Sequence, residues 1–207
     1  MSVPWRKIIH ETQEHKKYVL AVSGGVDSMF GLDFFSRISG IDFCVAHFDH
    51  DIRADSNKDF PLIQEAVRKI PKNITIYFDK GSNISNEKEA RDQRYDFLKK
   101  VKLDFGADYV VVFHHKDDQV ETILLNLLRG RNHSKLGMKK LDTYLYRPFL
   151  DIPKETIKKM SLSREISWNE DSTNNENNYE RNWLRNEIIP QLNVKRNTNA
   201  ILNGLFK

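Results

Sequence analysis

The densest concentration of groups able to do chemistry is Ser23-Gly24-Gly25-Val26-Asp27-Ser28. A Gly-Gly pair at a turn lets the backbone approach a ligand closely. A helix starting there aims unpaired N–H groups at that ligand, where an anion is favoured. Ser23 and Ser28 add hydroxyl donors, and Asp27, which would repel a phosphate by itself, makes sense as a ligand for accompanying Mg²⁺. The segment reads as a nucleotide-phosphate loop. A tight turn closed by an Asp or Ser helix cap is the plainer alternative, outweighed by two serines and an aspartate in one strand-to-helix turn. The Walker ending Gly-Lys-Ser/Thr is absent, so ATP cleavage here would not follow the ordinary P-loop pattern. Histidines gather at His47-Phe48-Asp49-His50 and at His114-His115-Lys116-Asp117. They suit a zinc or two-metal site, or hydrogen bonding to a nucleotide and proton transfer near neutrality. Neighbouring histidines on a strand point to opposite faces, so at most one of His114 and His115 looks into a given pocket.

The elements that must position these groups follow from apolar patterning. Apolar strands are expected at Tyr18–Val22, which reads as fully buried, and at Phe43–Phe48, Ile74–Phe78 and Tyr109–Phe113, with helices at Ser28–Ile38, Ser56–Ile70, Glu87–Val101 and Asp118–Leu128. Alternation of strand and helix predicts an α/β fold, a doubly wound, mostly parallel sheet covered on both faces. Ligands in such sheets sit beyond the carboxyl ends of the strands, at a switch in strand order. The phosphate loop and both histidine groups fall at those ends and converge on one rim. From about Leu141 the texture changes. Tyr144–Pro148 reads as a short edge strand, Ile152–Met160 as a helix with Pro153 near its start, and Asn169–Asn178 as turn-rich. Tyr179–Ile189 reads as a last helix stopping at Pro190. The expected division is a catalytic domain over 1–150 and a small helical extension over 151–207, cut short relative to something longer.

With 207 residues, 30% of them charged, and a negative mean hydropathy, the chain suits one soluble core. No apolar run approaches the roughly 18 residues of a membrane span, and the start lacks a secretory signal, so a cytoplasmic location is expected. The single cysteine, Cys44, permits no internal disulfide or cysteine-held cluster. Net charge is +4, and basic residues concentrate at Arg129, Arg131, Lys135, Lys139 and Lys140 and at Arg181, Arg185, Lys195 and Arg196. Either cluster could be a solvated surface; both beside a nucleotide site favour a polyanionic substrate. Trp5, Trp168 and Trp183 suit core anchors or base-stacking platforms.

The loop Ser23–Ser28 resembles that of the N-type ATP pyrophosphatases. Ala46–His50 with Arg53 and Ser56, Glu89-Ala90-Arg91 with Arg94-Tyr95, His114–Thr122, Leu128-Arg129-Gly130, Arg147-Pro148, Glu170–Asn174 and Arg181–Arg185 resemble the tRNA(Ile)-lysidine synthetases in order and spacing, from about residue 17 to 190. The resemblance implies an adenine nucleotide alpha hydrolase-like, Rossmann-like fold. It also implies ATP- and Mg²⁺-dependent ligation of L-lysine to the wobble cytidine of isoleucine tRNA with a CAU anticodon. The cytosine O2 is adenylated with loss of pyrophosphate, and the lysine ε-amine then displaces AMP. By that resemblance Ser23, Gly24, Gly25, Val26, Asp27, Ser28, His47, Asp49 and His114 bind the nucleotide, with Asp27 on the metal. Arg91 or Arg94 steadies the α-phosphate, Asp117, Asp118 and Glu121 receive lysine and its proton, and Arg129, Arg131, Lys135, Arg181 and Arg185 track the RNA backbone. A homodimer is compatible with the basic rim. The chain departs from the family pattern at Asp51, after Gly130, and at Phe113, where a small residue is usual. Rival readings are a tRNA thiolase, an amide-forming ligase of the GMP or NAD synthetase kind, and a noncatalytic RNA-binding fragment.

Overall fold

The computed structural model describes residues 5–13, 17–50, 56–82, 86–132, 136–170 and 180–195. After α1 (Trp5–Gln13) the chain runs β1 (Lys17–Ala21), α2 (Val26–Ser36), β2 (Asp42–Asp49), a 3₁₀ turn into α3 (Asp59–Arg68), β3 (Ile76–Lys80), α4 (Glu87–Phe105), β4 (Tyr109–Val111) and α5 (Lys116–Leu128). A hairpin of β5 (Leu141–Asp142) and β6 (Leu145–Tyr146) follows, then α6 (Lys154–Ser163), α7 (Glu180–Trp183), a π turn over Leu184–Ile188, and α8 (Ile189–Lys195). The sheet order is β3-β2-β1-β4-β6-β5. Only β5 runs antiparallel to its neighbour. The expected doubly wound α/β sheet is therefore present, and the order reverses beside β1, between the loops that leave β1 and β4.

Strand alternation divides the core into two layers. Tyr18, Leu20 and Val22 face Phe30, Phe35, Ile63 and Ile157, from α2, α3 and α6. Val19, Cys44, Val110 and Leu145 face Tyr95 and Leu98 of α4. Both layers are buried, which is why these strands read as unbroken apolar runs. Phe113 belongs to the first layer, and Gly31 makes room for it. A Cβ on Gly31 would lie 2.1 Å from the Phe113 ring, so a large residue here is matched by a missing side chain on α2.

Two expectations are corrected. The strand ending at Pro148 is not an edge. β6 lies between β4 and β5, and Pro148 falls beyond its paired residues, so the missing N–H interrupts nothing. The last helix does not stop at Pro190; the π turn ahead of it widens the backbone where a proline ring would otherwise meet the carbonyl four residues earlier, and α8 continues to Lys195. α6 packs on this core: Ile157 is fully buried in the first layer, and Arg164 just after the helix bonds Asp33 of α2 at 2.7 Å.

Gly31→Ala should destabilise the protein by more than about 3 kcal/mol, the upper part of the range for overpacking. Phe113→Val in that background should recover part of the loss. Denaturant titration of the two single variants and the double should show a coupling above about 1 kcal/mol; additive losses would mean that the contact does not set the cost.

Candidate active site

The loop after β1 folds because each polar group finds a local partner. Ser28 Oγ donates to the Gly25 carbonyl at 2.9 Å and accepts from Ser23 N–H at 3.1 Å, drawing Ser23 over the start of α2. Gly24 sits at φ +90°, and a Cβ there would lie 2.8 Å from Asp59 Oδ1. The Gly24 carbonyl accepts from Asn169 N–H at 3.0 Å, and Asn169 Nδ2 donates to Asp59 Oδ1 at 2.7 Å. Thus α3 and the segment after α6 hold the loop from two sides. Neither Asp59 nor Asn169 is marked by any motif.

Asp27 occupies the first turn of α2. Its Oδ1 is buried without a hydrogen-bond partner among the described residues, and its Oδ2 lies 3.6 Å from His115 Nε2. Burial raises the Asp27 carboxyl above its ordinary value, and Asp118 adds to this, while His115, Lys154 and Arg185 oppose it. A shielded carboxylate oxygen without a donor fits a divalent cation that takes its remaining ligands from a nucleotide and water.

The second wall is the start of α5. His115, not Asp118, begins it. The His115 ring Nδ1 accepts from Asp118 N–H at 3.3 Å while Asp118 Oδ2 accepts from His115 N–H at 2.9 Å, a reciprocal cap. A ring that accepts at Nδ1 carries its proton on Nε2, which is the atom facing Asp27. Of the two histidines, then, the one facing the phosphate loop is His115, whereas the family resemblance singled out His114. The signal available was its place one residue before a helix with an acidic N3. His114 is half-buried, and its Nδ1 is shielded. Burial depresses its basicity, with Asp118 opposing and Arg147, Arg181 and Arg94 reinforcing.

The three carboxylates of α5 do not form one open pocket. Asp117 turns away and accepts from Lys154 N–H at 2.8 Å, capping α6. Glu121 is 1% exposed and accepts from Arg181 Nε at 2.7 Å and from Arg185 Nε at 2.6 Å. Asp118 lies 3.4 Å from Arg181 and 3.6 Å from Arg185. Burial would raise the Asp118 carboxyl, but His115, His114, Arg181 and the His115 N–H hold it below its ordinary value. Arg181 and Arg185 are thus tied to buried carboxylates, because a buried carboxylate needs partners. Glu121 is likewise engaged rather than open to an incoming ammonium.

The remaining candidates are scattered more widely. His47 is buried, stacked with Phe60 and Phe78, and its Nδ1 lies 2.8 Å from the Val22 carbonyl, tying β2 to the end of β1. Asp49 ends β2 half-buried at the same rim. Arg91 and Arg94 both lie over the Tyr95 ring, their guanidinium carbons 4.9 and 5.2 Å from its centre. Arg129 pairs with Glu180 of α7, Arg131 is exposed, and Lys135 lies outside the described residues, as does Asp51. Trp5 packs on Phe30, Phe34 and Phe149 as a core anchor, and Trp183 is 38% exposed. Cys44 is fully buried, its thiol pushed up to about 12 by burial. Gln119 bridges both backbone groups of Met138, at 2.9 and 2.8 Å. A separate cleft of about 480 Å³ between α2 and α3, lined by Leu32, Asp33, Leu62 and Arg164, shares none of the rim residues.

A glycine-rich loop after β1, an aspartate in the first turn of the following helix, and a polar cluster across the switch point are what a PP-loop fold arranges, and residues 3–192 match the PP-loop domain family, to which the chain belongs. ATP use goes with that family. The chain is also 36% identical over 190 residues to the tRNA(Ile)-lysidine synthase of Enterococcus faecalis, an alignment covering 87% of this chain and 41% of the relative. It is 34% identical over 200 residues to that of Streptococcus gordonii (92% and 45%), and 36% identical over 201 residues to that of Streptococcus pyogenes (93% and 45%). The chain thus spans less than half the length of these relatives. The fold is shared with the U34-tRNA thiolase NcsA of Methanococcus maripaludis, a [4Fe-4S] cluster protein, at TM-score 0.76 and 14% identity over 98% of this chain and 77% of that one. It is shared more distantly with the NMN synthetase of Francisella tularensis, at TM-score 0.58 and 10% identity over 97% and 84%.

Two measurements probe the charge arrangement. Arg181→Ala/Arg185→Ala should cost roughly 3 kcal/mol, the low end for a buried charge stripped of its partners because both arginines are partly exposed. Adding Glu121→Gln should return most of it in denaturant titrations; no recovery would mean that the arginines stabilise through other contacts. His114 binds its proton less readily when folded, so the unfolded chain takes up more protons below about pH 6.5 and stability falls as pH falls. Between pH 6.5 and 5 the wild type should lose a fraction of about 1.4 kcal/mol per pH unit that His114→Gln does not lose. Parallel pH profiles would show that His114 is not the group responsible.

Proposed function

We propose that this chain is the catalytic part of a tRNA(Ile)-lysidine synthetase. It joins L-lysine to the wobble cytidine of isoleucine tRNA with a CAU anticodon, using ATP with Mg²⁺. The observation that carries the reading is identity of about a third, along nearly the whole chain, to enzymes of that name. The rim geometry supports it. In the first step the cytosine O2 attacks the α-phosphorus and pyrophosphate leaves. Val26 and Asp27 N–H groups at the start of α2, with the Ser23 and Ser28 hydroxyls, suit the departing phosphates. Asp27 would hold Mg²⁺, which supplies charge neutralisation there. Arg91 and Arg94, at the start of α4, suit the charge developing on the α-phosphate. In the second step the lysine ε-amine attacks C2, AMP departs with the former O2, and the ammonium proton passes to a carboxylate. Asp118, held ionised beside His115, is the better placed acceptor, while Glu121 holds Arg181 and Arg185 in the wall. A cytoplasmic setting, where ATP, lysine and tRNA meet, completes the proposal. Sulfur transfer is disfavoured, because Cys44 is the sole cysteine and its thiol is buried.

The direct test is incorporation of labelled lysine into a CAU-anticodon isoleucine tRNA transcript with ATP and Mg²⁺, beside a UAU transcript. Cytidine-dependent incorporation with matching AMP release is expected; AMP release without incorporation would mean a different nucleophile and overturn the reading. Asp27→Asn should melt at or above the wild-type temperature, since it removes a buried carboxylate, yet lower AMP formation by about 100-fold or more. Wild-type turnover in that variant would remove Asp27 from the metal role.

A further inference from the structure

Several arginines around the rim have carboxylate partners. Arg129 has Glu180, and Arg181 and Arg185 share Glu121 and Asp118. Arg147 differs. It is 5% exposed, one guanidinium nitrogen donates to the Lys139 carbonyl at 2.8 Å, and its Nε has no hydrogen-bond partner among the described residues. The groups that favour its charge are Tyr95, Asp142 and Tyr144, and Arg91 repels it.

Strand register explains where it points. Val110 pairs with Leu145 and Val111 with Tyr146, and Val112 N–H bonds the Tyr146 carbonyl at 3.0 Å. One step further sets Arg147 beside Val112, on the face where Leu145 and Val112 meet Tyr95 of α4. His114, two residues after Val112, falls on the same face nearer the rim. The start of α4 brings Arg91 and Arg94 to that end, and Arg94 Nε and His114 Nδ1 are also shielded without partners among the described residues. Burial depresses the basicity of both Arg94 and Arg147. His114 feels the charge of both Arg147 and Arg94, and a shielded guanidinium edge without a partner is unfavourable unless an anion meets it.

We propose that Arg147 is a phosphoryl-binding residue. With Arg94, and flanked by Arg91 and His114, it takes a non-bridging phosphate oxygen in a second anion site on the α4 side of the rim, apart from the Ser23–Ser28 loop. The inference rests on the reading that this rim accommodates nucleotide and RNA, the two sources of such an oxygen. Arg147 acts by binding and takes part in no bond-making.

The test uses the 207-residue chain, with AMP and adenosine as one pair of probes and a CAU anticodon stem–loop as the other. Arg147→Gln keeps a donor for the Lys139 carbonyl and removes the charge. If the site takes the nucleotide's α-phosphate, the variant should bind AMP about 10-fold more weakly and adenosine unchanged. If it takes an RNA phosphodiester, AMP binding should be unchanged, stem–loop affinity should fall about 10-fold, and the slope of log affinity against log salt should shrink by about 0.7 to 1. Equal losses of AMP and adenosine would mean a structural role and overturn the site, as would wild-type affinity for both AMP and stem–loop. Should the Gln variant not fold, Arg147→Lys, which keeps the charge but loses the planar fork, is measured instead; wild-type affinity for both probes then overturns the site. Lysine transfer is scored separately. Transfer without either binding effect removes this site alone, whereas a binding effect without transfer removes the lysidine reading and leaves the site.

Discussion

Gly24 holds φ +90° with the place of a Cβ filled by the Asp59 carboxylate, so the chain leaving β1 has little choice of path. That constraint sets where α2 begins and therefore where Asp27 and the first N–H groups of the helix point. It also reaches far along the chain. Asn169 binds both the Gly24 carbonyl and the Asp59 side chain, and α6, just before it, buries Ile157 against α2. The geometry of a loop at the start of the chain thus depends on a segment about 145 residues later. The region beyond residue 150 is part of the scaffold that fixes the phosphate loop, whatever else it contacts.

The acidic start of α5 poses a second constraint. Asp27, Asp118 and Glu121 near one another would repel both each other and an incoming phosphate. Each is answered separately: Asp27 by His115, Asp118 by the helix cap it shares with that histidine, Glu121 by two arginines. The arginines come from α7 and the turn after it, so satisfying one buried carboxylate also closes the wall of the site. Such pairs add modest net stability, because desolvation offsets most of the attraction. Their larger effect is to leave Asp27 as the carboxylate here with a shielded, unpartnered oxygen.

Much of this was legible in the residues. The long apolar runs at β1, β2 and β4 are the signature of strands covered on both faces, and parallel strands bring their following loops to one rim. The Ser23–Ser28 turn could be read because its chemistry is local. What could not be read depends on distant partners. Whether Arg181 meets RNA or Glu121 is decided by a contact 60 residues away in sequence. Whether His114 or His115 faces Asp27 depends on which one caps α5, and the expected start at Asp118 concealed this. Leu145–Tyr146 looked like an edge because a proline follows, while the true edge, Leu141–Asp142, is two residues long and carries no strand pattern at all.

The distribution of cations shows why counting them misleads. Net charge and local clusters treat Arg129, Arg185 and Arg147 alike, yet only a cation without an acid beside it attracts an anion strongly. In the basic runs after α5 and near α7, Arg129, Arg181 and Arg185 are matched by Glu180, Glu121 and Asp118. Arg94 and Arg147, each with an Nε that has no partner among the described residues, come from two segments that no sequence window joins, and only the β4–β6 register together with the direction of α4 brings them to one face. The result is a rim whose arginines at the α5 side are balanced by Asp118 and Glu121, while those on the α4 side, Arg94 and Arg147, keep a shielded Nε without a partner among the described residues.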